Sequence, residues 1–437
     1  MQQENKELEK ITSLAKRRGF IFPSGELYGG LNGFWDYGPL GTEMRRNIKH
    51  LWWNKFVRGR AEIVGLDAAI ITNSTVWQSS GHVEHFNDPL IECKSCHQRF
   101  KADQFAKDLA NQACPHCGTK GQFTEIKQFN TMFKTTVGPL EDEGSMAYLR
   151  PETAQGMFVN FKNIQESSRL KLPFGIAQIG KAFRNEITTG NFIFRIREFE
   201  QMEIEYFIRE SGWEEVFEAW RKLMWEWIKE VGITEDMVHE LNVPDGERAH
   251  YSKKTIDFEF DFPFGRKELY GLANRTDFDL KNHFPNAPYK DQETGEELWP
   301  HVIEPTWGVE RTMLAILCSA YSEEPDNEGT RVVLKLLPKI APVKVAIFPL
   351  QKDEKLTSLA REIYQDLMTR WSVQYDQAGS VGRRYRRQDE IGTPYCLTVD
   401  FESLADNKVT VRDRDSMTQT RVLISSLKEY LADKLDF

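Results

Sequence analysis

Residues 180–206, GKAFRNEITTGNFIFRIREFEQMEIEY, alternate charged side chains with bulky apolar ones almost without interruption. In an extended chain residues i and i+2 lie on one face, so this period of two predicts strands over 175–186 and 192–208, joined by the turn ITTGN. Arg184 and Glu186 then share a face of the first strand. One face of the second strand carries Arg195, Arg197, Phe199, Gln201, Glu203 and Glu205. A chain with such a hairpin is expected to fold around an antiparallel sheet.

The charged face of this hairpin has two interpretations. It is either a solvated surface with cross-strand ion pairs or the floor of a site for a nucleoside triphosphate and an amino acid. In the second case the arginines would bind phosphate oxygens, Phe199 would stack on a base, and the glutamates would bind an ammonium group. This segment alone supports both interpretations equally.

The segment 175–181, GIAQIGK, matches the pattern G-x-x-x-x-G-K of a phosphate-binding loop. Ala182 follows it, where that loop uses Ser or Thr for its metal ion, and the next residues are typical of a strand rather than a helix. We therefore expect the sheet, and not this loop, to bind any ATP.

Strand-like segments outnumber crossover helices across residues 129–340, which favours an antiparallel sheet flanked by helices over a doubly wound parallel sheet. The strand-like segments are 147–150, 175–186, 192–208, 255–262, 268–275 and 302–306. Helical spacing of apolar residues predicts flanking helices over 42–56 and 213–230. After Pro338 and Pro342, strands and helices alternate as in a compact α/β domain, with helices predicted over 353–370, 382–390 and 420–433.

The composition restricts the class of protein. With 437 residues, 40% of them hydrophobic, the chain is long enough for two or three domains. No apolar run approaches the roughly 18–20 residues of a membrane helix, and the start MQQENKELEK is too polar for a signal peptide, so the cytoplasm is the expected location. The net charge of −9 gives no general argument for nucleic-acid binding. Such binding would rest on local basic clusters, 16–18 and 383–387, which are equally consistent with solvated helix faces.

Four of the six cysteines form two C-x-x-C pairs with 17 residues between them: Cys93, Cys96, Cys114 and Cys117. Four thiolates at this spacing suit the tetrahedral coordination of a structural zinc ion. Two disulfides are disfavoured without a secretory signal, and a catalytic zinc would keep an open position. Cys318 and Cys396 lie in apolar surroundings and are expected in the core.

Several motifs together resemble a known family. FRNE at 183–186 with REFEQMEIE at 197–205 resembles motif 2 of class II aminoacyl-tRNA synthetases, GVERTMLAIL at 308–317 resembles motif 3, and DYGPLG at 36–41 resembles motif 1 with its Pro39. The longer set is similar to glycyl-tRNA synthetases of the bacterial homodimeric type: RPETAQG (150–156), GNFIFRIREFEQME (190–203), GLANRTDFDL (271–280), HVIEPTWGVER (301–311) and GRRYRRQDEIGTPYC (382–396). The resemblance covers nearly the whole chain.

The resemblance implies an α+β architecture in four regions. These are residues 1–90, the N-terminal part of the catalytic domain with motif 1; 91–128, a zinc-ribbon insertion; 129–340, the catalytic core with motifs 2 and 3; and 341–437, an α/β anticodon-binding domain. It implies a glycine-tRNA ligase that joins glycine to AMP and then transfers it to the 3′ end of tRNA-Gly. The implied partners are ATP with Mg²⁺, glycine, tRNA-Gly and a second copy of the chain bound through motif 1, with no membrane.

The resemblance also assigns the ATP site. Arg184, Glu186 and Arg311 would be the catalytic residues: Arg184 would hold the α-phosphate, Glu186 would read the adenine edge, and Arg311 would cover the adenine opposite Phe199. Glu268 and the backbone of Leu269 would contact ATP and its magnesium. The full implied ATP set is Arg184, Asn185, Glu186, Phe194, Arg195, Ile196, Arg197, Glu198, Phe199, Glu268, Leu269, Gly308, Val309, Glu310 and Arg311.

For glycine, the resemblance implies a tight acidic pocket that rejects larger amino acids by size, without an editing domain. The implied residues are Arg99, Glu152, Phe199, Glu200, Gln201, Met202, Glu203, Glu304, Pro305, Thr306, Trp307 and Gly308. Taken singly, Glu152 could instead cap a helix, Glu203 could be an exposed sheet residue, and Arg99 could be an exposed residue of the zinc ribbon. Thr306 and Glu310 depart from residues common in the family.

The basic segment of the C-terminal region would contact tRNA phosphates through Arg383, Arg384, Arg386 and Arg387. Two other classes of protein make different predictions for this sequence. A catalytically silent RNA-binding relative predicts loss of Arg184, Glu186 or Arg311, and a ligase that does not use tRNA predicts loss of the anticodon-binding domain. The sequence retains all of these features.

Overall fold

The computed structural model describes residues 4–105, 109–139, 145–249, 251–326 and 329–436. The N-terminal elements are α1 (Glu4–Arg17), β1 (Ile21–Pro23), β2 (Trp35–Tyr37), α2 (Pro39–Trp53), β3 (Ile63–Gly65), α3 (Ser74–Ser79) and α4 (His82–His85). Helix α2 begins at Pro39, whose fixed φ suits the first helical position. It buries Met44, Ile48 and Trp52, as the predicted helical spacing requires, and continues through a π turn to Arg58.

The cysteine-containing region forms a small sheet of its own. Its strands are β4 (Asn87–Glu92), β5 (Arg99–Lys101) and β6 (Lys127–Asn130), in the order β5-β4-β6. A separate hairpin, β7 (Lys134–Thr136) with β8 (Met146–Tyr148), leads back towards the core.

A seven-stranded sheet forms the centre of the molecule. The elements here are α5 (Ala154–Val159), α6 (Phe161–Ser168), β9 (Phe174–Phe183), β10 (Glu198–Ile208), α7 (Trp213–Glu230), β11 (Val238–Asn242), β12 (Lys254–Phe262), β13 (Gly265–Thr276), α8 (Phe278–His283), β14 (Tyr289–Lys290), β15 (Glu297–Leu298), β16 (His301–Gly308) and α9 (Val309–Ala320). The strand order is β11-β12-β13-β16-β10-β9-β3, antiparallel except that β3 runs parallel to β9. The predicted antiparallel sheet flanked by helices is therefore confirmed.

The main hydrophobic core lies where α2, α7 and α9 cover this sheet. Trp52, Trp220, Trp227 and Trp307 are fully buried in it, around Phe56. Burial of such large side chains contributes about 1.5–3 kcal/mol each, so one face of the sheet is fixed by packing. On the opposite face, Phe174, Phe207 and Val302 pack in a smaller hydrophobic cluster with α5 and α6, and polar side chains occupy the remainder around Glu203.

A second core lies in the C-terminal region. The hairpin β17 (Tyr321–Asp326) and β18 (Gly329–Leu334) leads into β19 (Val345–Pro349), α10 (Glu354–Leu367), β20 (Val373–Tyr375), α11 (Val381–Ile391), β21 (Tyr395–Val399), α12 (Ser403–Asp406), β22 (Lys408–Asp413), β23 (Gln419–Leu423) and α13 (Leu427–Leu435). The five-stranded sheet has the order β20-β19-β21-β22-β23, with parallel pairs on one side of β21 and antiparallel pairs on the other.

Three predicted elements differ from the structure. The strand predicted over 192–208 begins only at Glu198, because Asn191 and Phe192 have positive φ values of 55° and 59° that turn the chain out of the sheet. The strand predicted over 175–186 ends at Phe183, so Arg184 and Glu186 lie beyond it. The helix predicted over 420–433 is wrong in its first half, where β23 completes the sheet before α13.

Candidate active site

An open cavity of about 540 Å³ lies over the face of the large sheet formed by β10, β13 and β16. Its walls gather the segment before α5, the loop between β9 and β10, and the first turn of α9. The predicted site residues that line it are Glu152, Arg184, Glu186, Phe194, Arg195, Ile196, Phe199, Gln201, Glu203, Glu268, Leu269, Glu304, Thr306, Gly308, Glu310 and Arg311. The structure thus brings both halves of the predicted site into one cavity.

The other predicted residues do not line this cavity: Arg99, Asn185, Arg197, Glu198, Glu200, Met202, Pro305, Trp307 and Val309. Strand alternation directs the side chains of Glu198, Glu200 and Met202 away from the cavity, because their neighbours Phe199 and Glu203 occupy the cavity face of β10. The same alternation on β16 buries Pro305 and Trp307, and Val309 is fully buried at the start of α9. The side chains of these residues of β10, β16 and α9 therefore point away from a ligand in the cavity.

Two predicted arginines are bound elsewhere. Arg197 donates to the carbonyl oxygen of Glu186 at 2.8 Å and to that of Asn32 at 2.6 Å, so it holds the loop rather than facing the cavity. Arg99 is exposed and pairs with Glu92 at 3.1 Å. The neighbouring Lys101 lines the cavity instead and pairs with Asp88 at 2.5 Å.

One end of the cavity is rich in arginine and aromatic rings. Arg311 donates to the carbonyl oxygen of Glu268 at 3.0 Å, lies 3.2 Å from its carboxylate, and stands 4.5 Å from the Phe194 ring centre. The Arg311 charge lowers the pKa of Glu268, whose side chain is 53% exposed. This end therefore offers positive charge, flat apolar surface and one ionised carboxylate.

Arg184 lies at the same end. Its Nε atom donates to the carbonyl oxygen of Pro151 at 3.0 Å, and its guanidinium carbon stands 5.4 Å from the Phe199 ring centre and 5.3 Å from that of Phe86. These contacts fix the plane of the guanidinium, and no carboxylate of a described residue forms an ion pair with it. Arg184 is thus available for an anion in the cavity.

The opposite end is a buried cluster of carboxylates. Glu203 accepts hydrogen bonds from the hydroxyls of Thr153 and Thr306, the second at 2.9 Å. Glu304 accepts one from Arg275 at 2.8 Å. Glu152 lies 3.4 Å from the Nε2 atom of His82. Carboxylates at this density attract a small cation or ammonium group.

The protonation of these carboxylates differs. Burial, opposed by Arg275 and reinforced by Glu203, raises the pKa of Glu304 to about 8. Burial raises the pKa of Glu203 as well. For Glu152 burial acts in the same direction, but His82 and Arg275 outweigh it and lower the pKa. The cluster therefore contains both ionised and protonated acids at neutral pH.

Two residues of this end were missed by the sequence analysis as site residues. Arg275 is 2% exposed and binds Asp279 at 2.8 and 2.9 Å as well as Glu304, so it organises the carboxylates. Glu205 is fully buried, neither of its oxygens has a hydrogen-bond partner among the described residues, and burial together with Glu304 raises its pKa well above the ordinary value. Glu205 lies two residues after Glu203, on the same face of β10, and this spacing could have identified it as a site residue. No sequence pattern distinguished Arg275.

The four cysteine sulfurs form a second candidate site. Sγ of Cys93 lies 3.7 Å from that of Cys117, and Sγ of Cys96 lies 3.7 Å from that of Cys114. All four sulfurs lie within 4.8 Å of one another. A tetrahedral zinc ion with Zn–S distances of about 2.3 Å places its sulfurs about 3.8 Å apart, so the donor set and its spacing fit zinc.

In the basic helix α11, three of the four arginines predicted to contact tRNA are bound by groups of the protein itself. Arg384 is 2% exposed and donates to the carbonyl oxygen of Gly379 at 2.9 and 3.2 Å, which places it out of reach of a phosphate. Arg386 pairs with Asp326 and Asp389, and Arg387 pairs with Asp376. Of the four predicted residues, only Arg383 is exposed with no ion pair to a described residue.

Within the described part of the chain, no helix is long and apolar enough to cross a membrane. Residues 133–320 match the family model of the tRNA synthetase class II core domain (G, H, P, S and T), and residues 344–434 match the anticodon binding domain. The antiparallel sheet, its cavity and these matches define a class II aminoacyl-tRNA synthetase.

Full-length relatives narrow the assignment. The chain is 50% identical to the glycine-tRNA ligase of Thermobifida fusca over 100% of this chain and 99% of that protein. It is 51% identical to the glycine-tRNA ligase of Caldanaerobacter subterraneus over 98% of this chain and 99% of that protein. The chain belongs to the glycine-tRNA ligase family.

Proposed function

We propose that this chain activates glycine with ATP and transfers it to the 3′ end of tRNA-Gly. The observation that carries the proposal is the division of one cavity into an arginine-rich end and a carboxylate end, in a chain about 50% identical to glycine-tRNA ligases. A nucleoside triphosphate and a small zwitterion fit these two ends by charge. The carboxylate of the amino acid would then lie towards the phosphates.

At the arginine-rich end, Arg184 would bind the α-phosphate. An oxygen of the glycine carboxylate attacks the α-phosphorus, the bond from phosphorus to the bridging oxygen breaks, and pyrophosphate leaves. Negative charge that develops on the phosphoryl oxygens in the transition state is stabilised by the fixed guanidinium, so no protein nucleophile is required. Arg311 and Phe199 would contact the adenine ring from its two faces.

The proposed function includes two metal ions, Mg²⁺ bound with ATP and a structural zinc ion. Glu268, the ionised carboxylate beside Arg311, would hold the Mg²⁺ that neutralises the phosphates of ATP. The four cysteines would hold a structural zinc ion, which would fix the insertion that brings Lys101 to the cavity. Metal analysis of the purified protein tests the zinc assignment, with one zinc per chain expected and none in the Cys96→Ser variant.

At the carboxylate end, Glu152, Glu203 and Glu304 would surround the ammonium group of glycine. The hydroxyl of Thr306 donates to Glu203 and thereby fixes its position, so Thr306 serves as a donor although much of the family has Ser there. The floor between β10 and β16 is filled by these side chains. Larger amino acids would be rejected because their side chains would displace hydrogen-bonded groups.

The C-terminal α/β region would bind the anticodon end of tRNA, with Arg383 as the exposed phosphate contact on α11. We propose that this region begins near residue 341, between the end of β18 at Leu334 and the start of β19 at Val345. The proposed boundaries of the insertion near residues 91 and 128 fall within β4 and β6, the strands that begin and end its sheet in the sequence.

We further propose a homodimer through the motif 1 region. Leu27, Tyr28 and Leu31 are 88%, 90% and 62% exposed and follow one another in a glycine-rich turn before α2. Contiguous exposed apolar side chains are typical of interfaces. Sedimentation should give twice the chain mass, and a Leu27→Asp/Tyr28→Asp variant should sediment as a monomer.

Pyrophosphate exchange with ATP and glycine, alanine or serine tests the first step. Exchange is expected with glycine alone, and Arg184→Ala is expected to lower it by about 10²–10³ because one electrostatic contact in the transition state is lost. A folded, zinc-loaded protein without glycine-dependent exchange would contradict the proposed function and favour the silent RNA-binding relative.

A further inference from the structure

A compact ionic network, which no step of the proposed reaction uses, joins the face of the large sheet opposite the cavity to Glu310 at the cavity wall. Arg45 of α2 contacts two carboxylates, Glu200 at 2.5 Å and Glu310 at 2.7 Å. Lys49 of the same helix binds Glu200 at 2.9 and 3.0 Å. The side chains of Arg45, Glu200 and Glu310 are only 14%, 13% and 4% exposed, so solvent screens these contacts weakly.

The network also includes backbone and aromatic contacts. The second oxygen of Glu310 accepts a hydrogen bond from the backbone N–H of Glu200 at 2.9 Å. The hydroxyl of Tyr37 donates to Glu310 at 3.3 Å, and the Arg45 guanidinium lies over the Tyr37 ring at 3.8 Å. Glu310 thus ties the first turn of α9 to the backbone of β10, and Arg45 ties both to α2.

Each carboxylate of this network is the chain neighbour of a residue at the ATP end. Glu310 directly precedes Arg311 in α9, and Glu200 directly follows Phe199 in β10. Neighbouring residues of a strand point to opposite faces, so Phe199 faces the cavity while Glu200 faces α2. A shift of Glu310 relative to Glu200 therefore changes the spacing between Arg311 and Phe199.

We propose that Arg45 is a positioning residue for ATP, which sets the gap between Phe199 and Arg311 by binding Glu200 and Glu310 together. The inference rests on the proposed function, because it takes those two residues as the surfaces on either side of the adenine. Burial raises the pKa of Glu310, and the Arg45 charge opposes this shift. This positioning role also gives a reason why a glutamate, Glu310, directly precedes Arg311.

The inference is tested with Arg45→Met and Arg45→Lys. Lysine keeps the charge but lacks the planar group that reaches two carboxylates at once. For Arg45→Met we expect a rise in the KM for ATP of about tenfold or more in glycine-dependent exchange, with the KM for glycine changed less than about twofold. Arg45→Lys should lie between Arg45→Met and the wild type.

Arg221→Met is the matched control. Arg221 lies on α7, packed on the same face of the sheet, and also bridges two carboxylates, Glu218 and Glu240, each at 2.8 Å. None of these three residues lines the cavity. We expect this variant to lose less stability than Arg45→Met, because the Arg221 side chain is 38% exposed, and to show no change in the KM for ATP. A change in that KM for Arg45→Met alone then separates positioning from loss of one ion-pair bridge.

Two results would overturn the inference: an unchanged KM for ATP in Arg45→Met, or equal rises in the KM values for ATP and glycine. If Arg45→Met does not fold, the same criteria apply to Arg45→Lys. Calorimetric titration with ATP in the absence of glycine measures the same effect as a change in Kd without requiring the reaction. An inactive wild type would therefore contradict the proposed function, whereas wild-type ATP affinity in both Arg45 variants would contradict only the positioning role.

Discussion

Arg184, in the loop between β9 and β10, and three of the four arginines of α11 look alike in the sequence but differ in the structure. Arg184 lines the cavity, held by a carbonyl oxygen and two aromatic rings, with no carboxylate of a described residue paired to it. Arg384, Arg386 and Arg387 are bound by carbonyls and carboxylates of the protein itself. An arginine indicates an anion site only where the fold leaves its guanidinium unpaired and directed at open space.

Asp389 of α11 is the centre of a network of three arginines, one of which, Arg386, belongs to the same helix. It is fully buried and binds Arg331 of the hairpin β17–β18 at 2.9 Å, Arg412 of β22 at 2.9 Å, and Arg386 at 3.3 Å. Asp389 therefore joins α11 to the hairpin and to the C-terminal sheet.

The largest expected effect in this comparison comes from Asp389→Ala. Removal of this carboxylate leaves buried arginines uncompensated, and we expect the free energy of unfolding of the C-terminal region to fall by about 3–5 kcal/mol. Urea unfolding followed by fluorescence measures the loss. Glycine-dependent exchange per folded molecule should be retained, and a fall in exchange comparable to that of Arg184→Ala would break the distinction between the two regions.

Arg275 is an arginine of the cavity that resembles those of α11, because the carboxylates of Asp279 and Glu304 bind it. Its partner Glu304 should make the free energy of unfolding depend on pH. The pKa of Glu304 is about 8 in the folded protein and about 4.5 in the unfolded chain. Its raised folded pKa stabilises the protein fully below pH ~4.5, and this contribution is lost as the pH rises to about 8. Between pH ~4.5 and about 8, Glu304 makes the unfolding free energy of the wild type fall by up to about 1.4 kcal/mol per pH unit. We expect this part of the fall to be absent in Glu304→Gln.

Unfolding of wild type and Glu304→Gln at several pH values between 5 and 9 measures this difference. Glu297→Gln is the control, since Glu297 is exposed and lies outside the cavity. Equal pH slopes in wild type and Glu304→Gln would show that Glu304 is ionised throughout the window.

A smaller effect is expected for Arg384→Met against Arg383→Met. The first variant leaves the carbonyl oxygens of Gly379 and Pro349 without their donor, which costs about 1–3 kcal/mol of unfolding free energy. Arg383 is exposed, so its replacement should change stability by less than about 0.5 kcal/mol. Equal stability of the two variants would contradict the assigned structural role of Arg384.

The smallest effect concerns the affinity for tRNA. Phosphate contacts release counterions, so the Kd for tRNA-Gly should rise with salt concentration. Arg383→Gln should reduce the slope of log K against log salt by about 1, while the slope of the folded Arg384→Gln variant should match that of the wild type. Filter binding at several salt concentrations gives both slopes, and a slope that is flat in the wild type would remove α11 from the tRNA interface.

Much of the fold could be predicted because its signals are local. The alternation around Phe199 and Glu203 predicted the central strands, and the spacing of Met44, Ile48 and Trp52 predicted α2. The ends of elements were less accurate, since the positive φ values at Asn191 and Phe192 have no periodic signal. The domain boundaries and the ligand-binding roles stay predictions.

Motif spacing and strand alternation are properties of the chain, so they were enough to indicate which residues could serve a class II site and that four cysteines could share one metal ion. Which of these groups are free depends on the folded molecule. The fold turned Lys101 rather than Arg99 towards the cavity, buried Arg384, and placed Arg275 among the carboxylates. The reason is physical: the charge and accessibility of a side chain depend on partners from distant segments, and burial makes each such pairing too strong to be exchanged for a ligand.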